Sequence, residues 1–388
     1  MFYNNSKEAP LIATVEDCVH LAKADHMAPS FRIEPLILPS STQSPEATDF
    51  LEFSELSDAL ILETWGNLDL AAPREARLES WRDDDYKQAR FYFVRVNGRM
   101  VARSSIGLPL AENLDVAMVR VDVLNEFTGR GIGQMLLRHA EEFAARHGRT
   151  TVQSSTEHAA GFDPHGPGIL KPGTGTGGVP ADSRAVKFAL AAGYALEQVT
   201  QFSALDLPVP DGTLDALEQK ACSIAGNCYD LLTWTDRCPD DYVDEMAVLM
   251  SRMSTDSPSG ELHFESQVWD AKRVRHVEDE WKQSGMESLV SVARHKPSGE
   301  LAAYSVLQYS ASKPWLAVQD DTLVARAHRG SRLGMLVKIL NLRRLEAERP
   351  SVERILTFNA AENGHMLAIN VVLGFRPAGY SGEWQRRR

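Results

Sequence analysis

Cysteine is scarce in this chain: four residues (Cys18, Cys222, Cys228 and Cys238) in 388. Their spacings match no zinc pattern, so reduced structural thiols are expected, with no disulfide framework and no metal. Long apolar runs are missing too. No stretch approaches the roughly 18 uncharged apolar residues that a membrane-spanning helix needs. The opening MFYNNSKEAPLIATVED has neither a basic n-region nor an apolar h-region. A cytoplasmic protein without a membrane partner is the expectation. Positive charge is in deficit, with 41 Lys and Arg against 53 Asp and Glu and a net charge of -12. Acidic clusters at Asp83 to Asp85 and at 240–245 add to this. Phosphate-mediated nucleic-acid binding is disfavoured, and a small cationic substrate is compatible. What the chain does have is a hydrophobic content of 43% over 388 residues, enough for two or three cored domains.

The stretch TGRGIGQMLL at 128–137 places Gly129, Gly131 and Gly133 at a helix start. Unpaired first-turn N–H groups and the helix dipole make this an anion site, most naturally for phosphate. A P-loop is excluded because no Gly-Lys-Ser or Gly-Lys-Thr closes the stretch. The dinucleotide fingerprint is a poor match, since the glycines alternate and Asn125 to Thr128 separate them from the strand. A glycine-rich turn for close helix–sheet packing is the competing reading.

A second copy supports the binding reading. FYFVRVNGRMVARSS at 91–105 and LVSVARHKPSGELAAYSV at 289–306 both read as hairpins, turning at Asn97-Gly98 and Ser298-Gly299. A strand follows each, LDVAMVRVDV at 114–123 and WLAVQDDTLV at 315–324. Glycine loops then start at 128 and 329, and the turn and loop glycines of the two copies share one offset of 201 residues. Helices follow, with Ile132, Leu136, Ala140 and Phe143 on one face of the first and Leu333, Val337 and Leu340 on the second. Each copy continues with a short strand, a helix and a Gly-aromatic step at Gly193-Tyr194 or Gly374-Phe375. The first copy carries about 20 extra residues, visible as a Pro/Gly-rich loop at 159–183. LDLPVPDG at 205–212 reads as the linker. The domains are therefore 1–30, an N-terminal extension with a capping box at Thr14 to Asp17; 31–208; and 209–388.

These residues resemble the GNAT superfamily of acyl-CoA transferases, in particular its tandem two-domain members of actinobacteria, the group that includes mycothiol synthase. RMSTDSPSGEL at 252–262 and NAAENGHMLAINVVLGF at 359–375 resemble stretches of those tandem proteins. The resemblance implies an α/β (α+β) fold of two GNAT domains, each a mixed, mostly antiparallel twisted sheet flanked by helices. It also implies acyl transfer from acetyl-CoA to a small primary amine through a ternary complex and a general base. The family loop Q/R-x-x-G-x-G/A would hold the coenzyme pyrophosphate at Gly129, Arg130, Gly131, Gly133 and Gln134, and again at Arg329, Gly330, Gly334 and Met335. The first copy has Thr128 where Gln or Arg is usual, and the second has Arg332 at the middle glycine. The pantetheine arm would lie along Val121 and Val123, or Leu323 and Val324, with Asn359 and Asn363 as hydrogen-bonding partners.

An ammonium of pKa about 10 must lose its proton before attack. Arg120 of copy one corresponds to Asp321 of copy two and Val119 to Asp320, so only copy two sets carboxylates beside the expected thioester. Strand alternation sends the two acids to opposite faces. Asp321 shares its face with Ala317 and Gln319, the more polar set, and is the expected base, with Asp122 as fallback; a solvated strand-end acid pair is the plain alternative. The general-acid Tyr of many relatives, four residues before the last glycine, is replaced by Ala189 and Asn370. Asn370 is left as a hydrogen-bond partner for the coenzyme sulfur, and Tyr380 as another proton source. Glu157, His158, Asp163 and His165 lack tight metal-ligand spacing. The competing functions are a non-catalytic coenzyme A-binding regulator and aminoacyl transfer from tRNA, the latter disfavoured by the acidic balance. A monomer or homodimer is expected.

Overall fold

A computed structural model describes residues 31–387. The extension at 1–30, with its capping box and Cys18, lies outside the described residues. The first half runs β1 (Ile33–Pro35), α1 (Thr48–Trp65), α2 (Arg74–Ser80), β2 (Lys87–Val96), β3 (Arg99–Pro109), β4 (Val116–Val123), α3 (Ile132–Arg146) and β5 (Thr151–Ala159). The short strands β6 (Ile169–Leu170) and β7 (Val179–Pro180) follow, then α4 (Arg184–Ala191) and β8 (Ala195–Asp206).

The second half opens with α5 (Thr213–Ala225), β9 (Tyr229–Thr235), α6 (Val243–Asp256) and α7 (Ala271–Gln283). It then repeats the same core series: β10 (Met286–His295), β11 (Leu301–Ser310), β12 (Leu316–Val324), α8 (Leu333–Glu348), β13 (Arg354–Ala360), α9 (Gly364–Leu373) and β14 (Arg376–Arg387).

Local chemistry accounts for the repeated elements. Asn97 and Gly98 both take left-handed conformations, φ 51° and 83°, the turn whose twist matches its flanking strands. Helix α3 buries Ile132, Leu136, Ala140 and Ala144, one residue per turn. Helix α8 departs from the expected single apolar face: it buries ten of its residues, Lys338 and Asn341 included. The reason is α5, whose Leu214, Ala221 and Ala225 join the same core and cover the side that α3 leaves to solvent.

All strands but β6 and β7 form one twelve-stranded sheet, ordered β1-β2-β3-β4-β5-β14-β8-β13-β12-β11-β10-β9. Its centre is an exchange. Strand β14 of the second half pairs with β5 of the first, from Gly379↔Ala159 to Arg387↔Thr151, while β8 of the first half pairs with β13 of the second. Each half thus completes the other's sheet, and the two cannot part without breaking these ladders. The α6–α7 connection also crosses to the first half, where Asn113 and Glu265 exchange hydrogen bonds of 2.6 and 2.7 Å. The loop at 159–183 leans the same way. A Cβ at Gly177 would stand 2.7 Å from that of Ala361.

Helices α3 and α4 cover one face of the first-half sheet, around Val119, Leu137, Val152, Val186 and Trp384. The other face lies under α1 and α2, where Phe53 meets Phe91 and Phe93 edge-on.

Candidate functional site

The first-half ladder between β4 and β5 ends at Met118↔Gln153, and beyond it the strands part. The gap opens into a cavity of about 650 Å³ that reaches from the glycine loop to Arg120 and Glu157. Val121, Val123, Leu137, Ser155, Ala189 and Trp384 wall it.

At the loop end, Gly129 and Gly131 hold φ of 73° and 83°, conformations that a side chain resists. Gly131 is the N-cap of α3, with no side-chain cap, and the first helical bond runs from Met135 N–H to Gly131 O. The preceding N–H groups therefore face the cavity as donors. At Gly133 a Cβ would sit in ordinary contact with Phe188 and Val123 at 3.6 Å. Arg130 is turned away: it donates to Glu126 O and lies 4.9 Å from the Phe127 ring centre. The cation comes instead from Arg184 at the start of α4, which donates to Thr128 Oγ1 at 3.1 Å and to Asn125. Arg184 therefore supplies the positive charge that Thr128 lacks, and only its place on the second helix of the repeat could have signalled it. Gln134 lines the cavity beside the loop.

At the far end charged side chains converge from four elements. Arg120 bonds Asp122 at 3.0 Å and Glu157 at 2.7 Å, and Arg103 holds Asp122 from the other side at 2.9 Å. Trp65 Nε1, at the end of α1, donates to Glu157 at 2.8 Å. Burial alone would raise the Asp122 carboxyl, but Arg120 and Arg103 hold it below the usual range. As the fallback base it is poorly basic. Glu383 is different. It stands on the exchanged strand β14, opposite Ser155, where burial pushes its carboxyl up against the Ser381 hydroxyl's opposing pull, with Glu157 adding to the rise. Burial also pushes His158 down to about 4, which leaves it neutral. Its Nε2 meets Thr156 Oγ1 at 3.0 Å while Glu157 turns to Arg120 and Trp65, so these neighbours do not converge as ligands.

The equivalent positions of the second half are filled. Leu137 corresponds to Lys338 by the same offset of 201. Strand register aligns Ser155 with Asn359, and the Gly-aromatic step aligns Ala189 with Asn370. Lys338 Nζ donates to Asn370 Oδ1 at 3.0 Å, and Asn370 Nδ2 donates to Asn359 Oδ1 at 2.7 Å. Three residues that wall an open cavity in one half thus form a polar chain in the other, with Lys338 and Asn370 buried and Asn359 partly so. Burial pushes the Lys338 ammonium down to about 7.

The second glycine loop is also altered. Arg332, in place of Gly131, is held left-handed at φ 58°, a strain of roughly 1–2 kcal/mol for a residue with a Cβ. Gly330 keeps its glycine conformation at φ 91°. Arg329 bonds Val324 O and Asp256, each at 3.3 Å. A Cβ at Gly334 would meet Val324 and Ile369 at 3.4 Å. Leu323 and Met335 are buried, and Asn363 Oδ1 caps α9 by accepting from Met366 N–H.

Strand alternation fails at Asp321. Between Ser305↔Thr322 and Leu307↔Gln319 the ladder slips, so Asp320 and Asp321 together oppose Val306 in a β-bulge. Gln319 and Thr322 both bond Ser305 on the α8 side. Asp321, expected beside Gln319, turns away to accept the Tyr304 hydroxyl at 2.9 Å, and Tyr304 packs in the core under α6 and α7. Burial raises both carboxyls, and Asp321 raises Asp320 further. Tyr380, on the exchanged strand β14, pairs into the first-half sheet across from His158 and lies 5.2 Å from Phe162, and burial raises its hydroxyl.

Residues 58–162, which hold the glycine loop and both strands that part, match the acetyltransferase (GNAT) family. A tandem GNAT protein from the clavulanic acid biosynthesis pathway is 25% identical with a TM-score of 0.68, over 92% of this chain and 98% of that one. A GCN5-related N-acetyltransferase from Sphaerobacter thermophilus shares the fold at 15% identity and a TM-score of 0.58, over 92% and 95% of the two chains. No curated protein matches the chain by sequence.

Proposed function

We propose that this tandem GNAT protein is an acetyl-CoA-dependent N-acyltransferase that binds coenzyme and does its chemistry in the first half alone, on a small primary amine. One observation carries the reading: a single cavity joins the glycine loop to Glu157 of β5, whose charge is felt by the buried Glu383 of β14. When bound, acetyl-CoA supplies the activated acyl group. The first-turn N–H groups of α3, with Arg184, offer donors for a pyrophosphate. Val121, Leu137 and Ala189 give the apolar walls that a pantetheine arm needs. A backbone N–H of β4, freed where the strands part, is placed to polarise a carbonyl.

Glu383 takes the proton of the entering ammonium, its raised basicity bringing donor and acceptor closer in proton affinity. Glu157, held by Arg120 and Trp65, attracts the cation. The second half serves as scaffold and donates Glu383 through the exchanged strand.

Thiol release from acetyl-CoA, followed with a panel of primary amines, tests this. Amine-dependent release above the background of hydrolysis is expected. Tight coenzyme binding with no release for any amine would leave a coenzyme-binding regulator in place of an enzyme.

A further inference from the structure

On the α1/α2 face of the first half lies a second recess of about 220 Å³. Its charged lining residues among those described are all cationic: Arg77 of α2, Arg103 of β3 and Arg120 of β4. Its apolar walls are Phe53, Trp81 and Phe91, the last two stacked at 4.3 Å. Arg120 lines this recess and the coenzyme cavity alike, so its side chain is a wall common to both, at the end of the cavity that holds Glu157.

We infer that this recess receives the amine acceptor and that the acceptor carries a carboxylate, bound between the guanidinium groups of Arg103 and Arg120; the inference rests on the acyl-transfer reading above. Each guanidinium has five N–H donors in a planar fork. Arg103 spends Nε on Asp122 and Nη1 on Ser57, and Arg120 spends Nε on Asp122 and Nη1 on Glu157. Among the described residues, neither Nη2 has an acceptor. Arg77 is engaged by Asp58 and by the Ser54 carbonyl. It therefore adds field more than contact.

Three like charges round one small hole repel, although at Arg120 the charges of Asp122 and Glu157 outweigh this and hold the guanidinium above its ordinary value. Burial, then the charges of Arg120 and Arg77, hold the Arg103 guanidinium below the ordinary value in spite of Asp122. A carboxylate entering the recess relieves the repulsion and occupies the spare donors in bidentate fashion. Glu157 stands beside Arg120, and Glu383 is near enough to feel the charges of both. A molecule with an anionic head in the recess thus presents its amine toward the carboxylates, and the charge pattern sets its direction. An amino acid whose amine and carboxylate lie a few bonds apart fits this arrangement.

Matched acceptors read the inference directly. With acetyl-CoA, β-alanine should be acetylated with kcat/KM at least 10-fold above propylamine, because a site built to bond a polar group rejects the analogue that lacks it. Ser105→Leu, which fills the recess from β3, should raise the β-alanine KM at least 10-fold and leave acetyl-CoA affinity by calorimetry unchanged. Equal use of the two amines, or preference for phosphoethanolamine over β-alanine, overturns the carboxylate. Calorimetry of N-acetyl-β-alanine against coenzyme-loaded protein serves as a readout that does not depend on turnover. Binding that is lost in Ser105→Leu and absent for N-acetylpropylamine supports the recess even if no amine is acetylated. Equal binding of the two probes, or none, overturns it.

Discussion

The two halves share a strand order and a glycine-loop offset of 201 residues, yet where one is open the other is shut. Leu137, Ser155 and Ala189 leave a cavity of about 650 Å³ between parted strands. Lys338, Asn359 and Asn370 bond to one another across the matching gap. Gly131 starts α3 at no steric cost, whereas Arg332 starts α8 in a conformation that a side chain resists. A repeat fixes topology, and a few side chains inside it decide whether the topology still binds anything. The shut half is not idle, since its last strand completes the first sheet and sets Glu383 opposite Ser155, which lines the open site.

Substitution of the two candidate bases separates the halves most strongly. Glu383→Gln should lower kcat by about 10²- to 10⁴-fold, the usual scale of general-base loss, with coenzyme affinity kept. The acid limb of the pH–rate profile should go with it, because Glu383 must be ionised to accept the proton and its carboxyl titrates above the ordinary range. Asp321→Asn should leave kcat within a few-fold. A collapse of activity in the second variant alone would return the chemistry to the second half.

A smaller effect reads the shut half through pH. Lys338 falls from an ordinary 10.5 to about 7 in the fold. Between those values the unfolded chain binds a proton that the folded one does not, so stability should rise with pH there, by up to about 1.4 kcal/mol per unit from this group. Below about pH 7 both states hold the proton and the slope vanishes. Lys338→Met should flatten the rise in denaturant midpoints measured from pH 7 to 10. An unchanged slope would mean that Lys338 is not the group responsible.

Smaller still is Arg332→Gly, which removes left-handed strain but frees the unfolded chain. A net gain of under about 1 kcal/mol in urea unfolding is expected. A loss would show that the Arg332 side chain itself holds the loop.

Much of this was legible in the residues and some was not, for physical reasons. The hairpins, the glycine loops and the helices after them announced themselves because turn chemistry and periodicity are local. The exchange of β8 and β14 did not, since nothing in an antiparallel strand names its neighbour when both faces are covered. With it went Glu383, whose closeness to Glu157 depends on that pairing. Asp321 misled through alternation, because a bulge without glycine leaves no sequence mark. Lys338 was the visible signal that passed unread: it is a lysine within the apolar run LGMLVKILNL, at the place where the other copy has Leu137. Arg184 and the recess under α1 and α2 needed three dimensions.

Calorimetric titration of acetyl-CoA tests the central claim most directly, with Gly131→Glu and Arg332→Glu placing the same acid at the same position of each loop. One site per chain is predicted, abolished by Gly131→Glu and untouched by Arg332→Glu. Two sites per chain, or a single site that survives the first substitution and is lost to the second, would contradict the assignment of one open and one closed half.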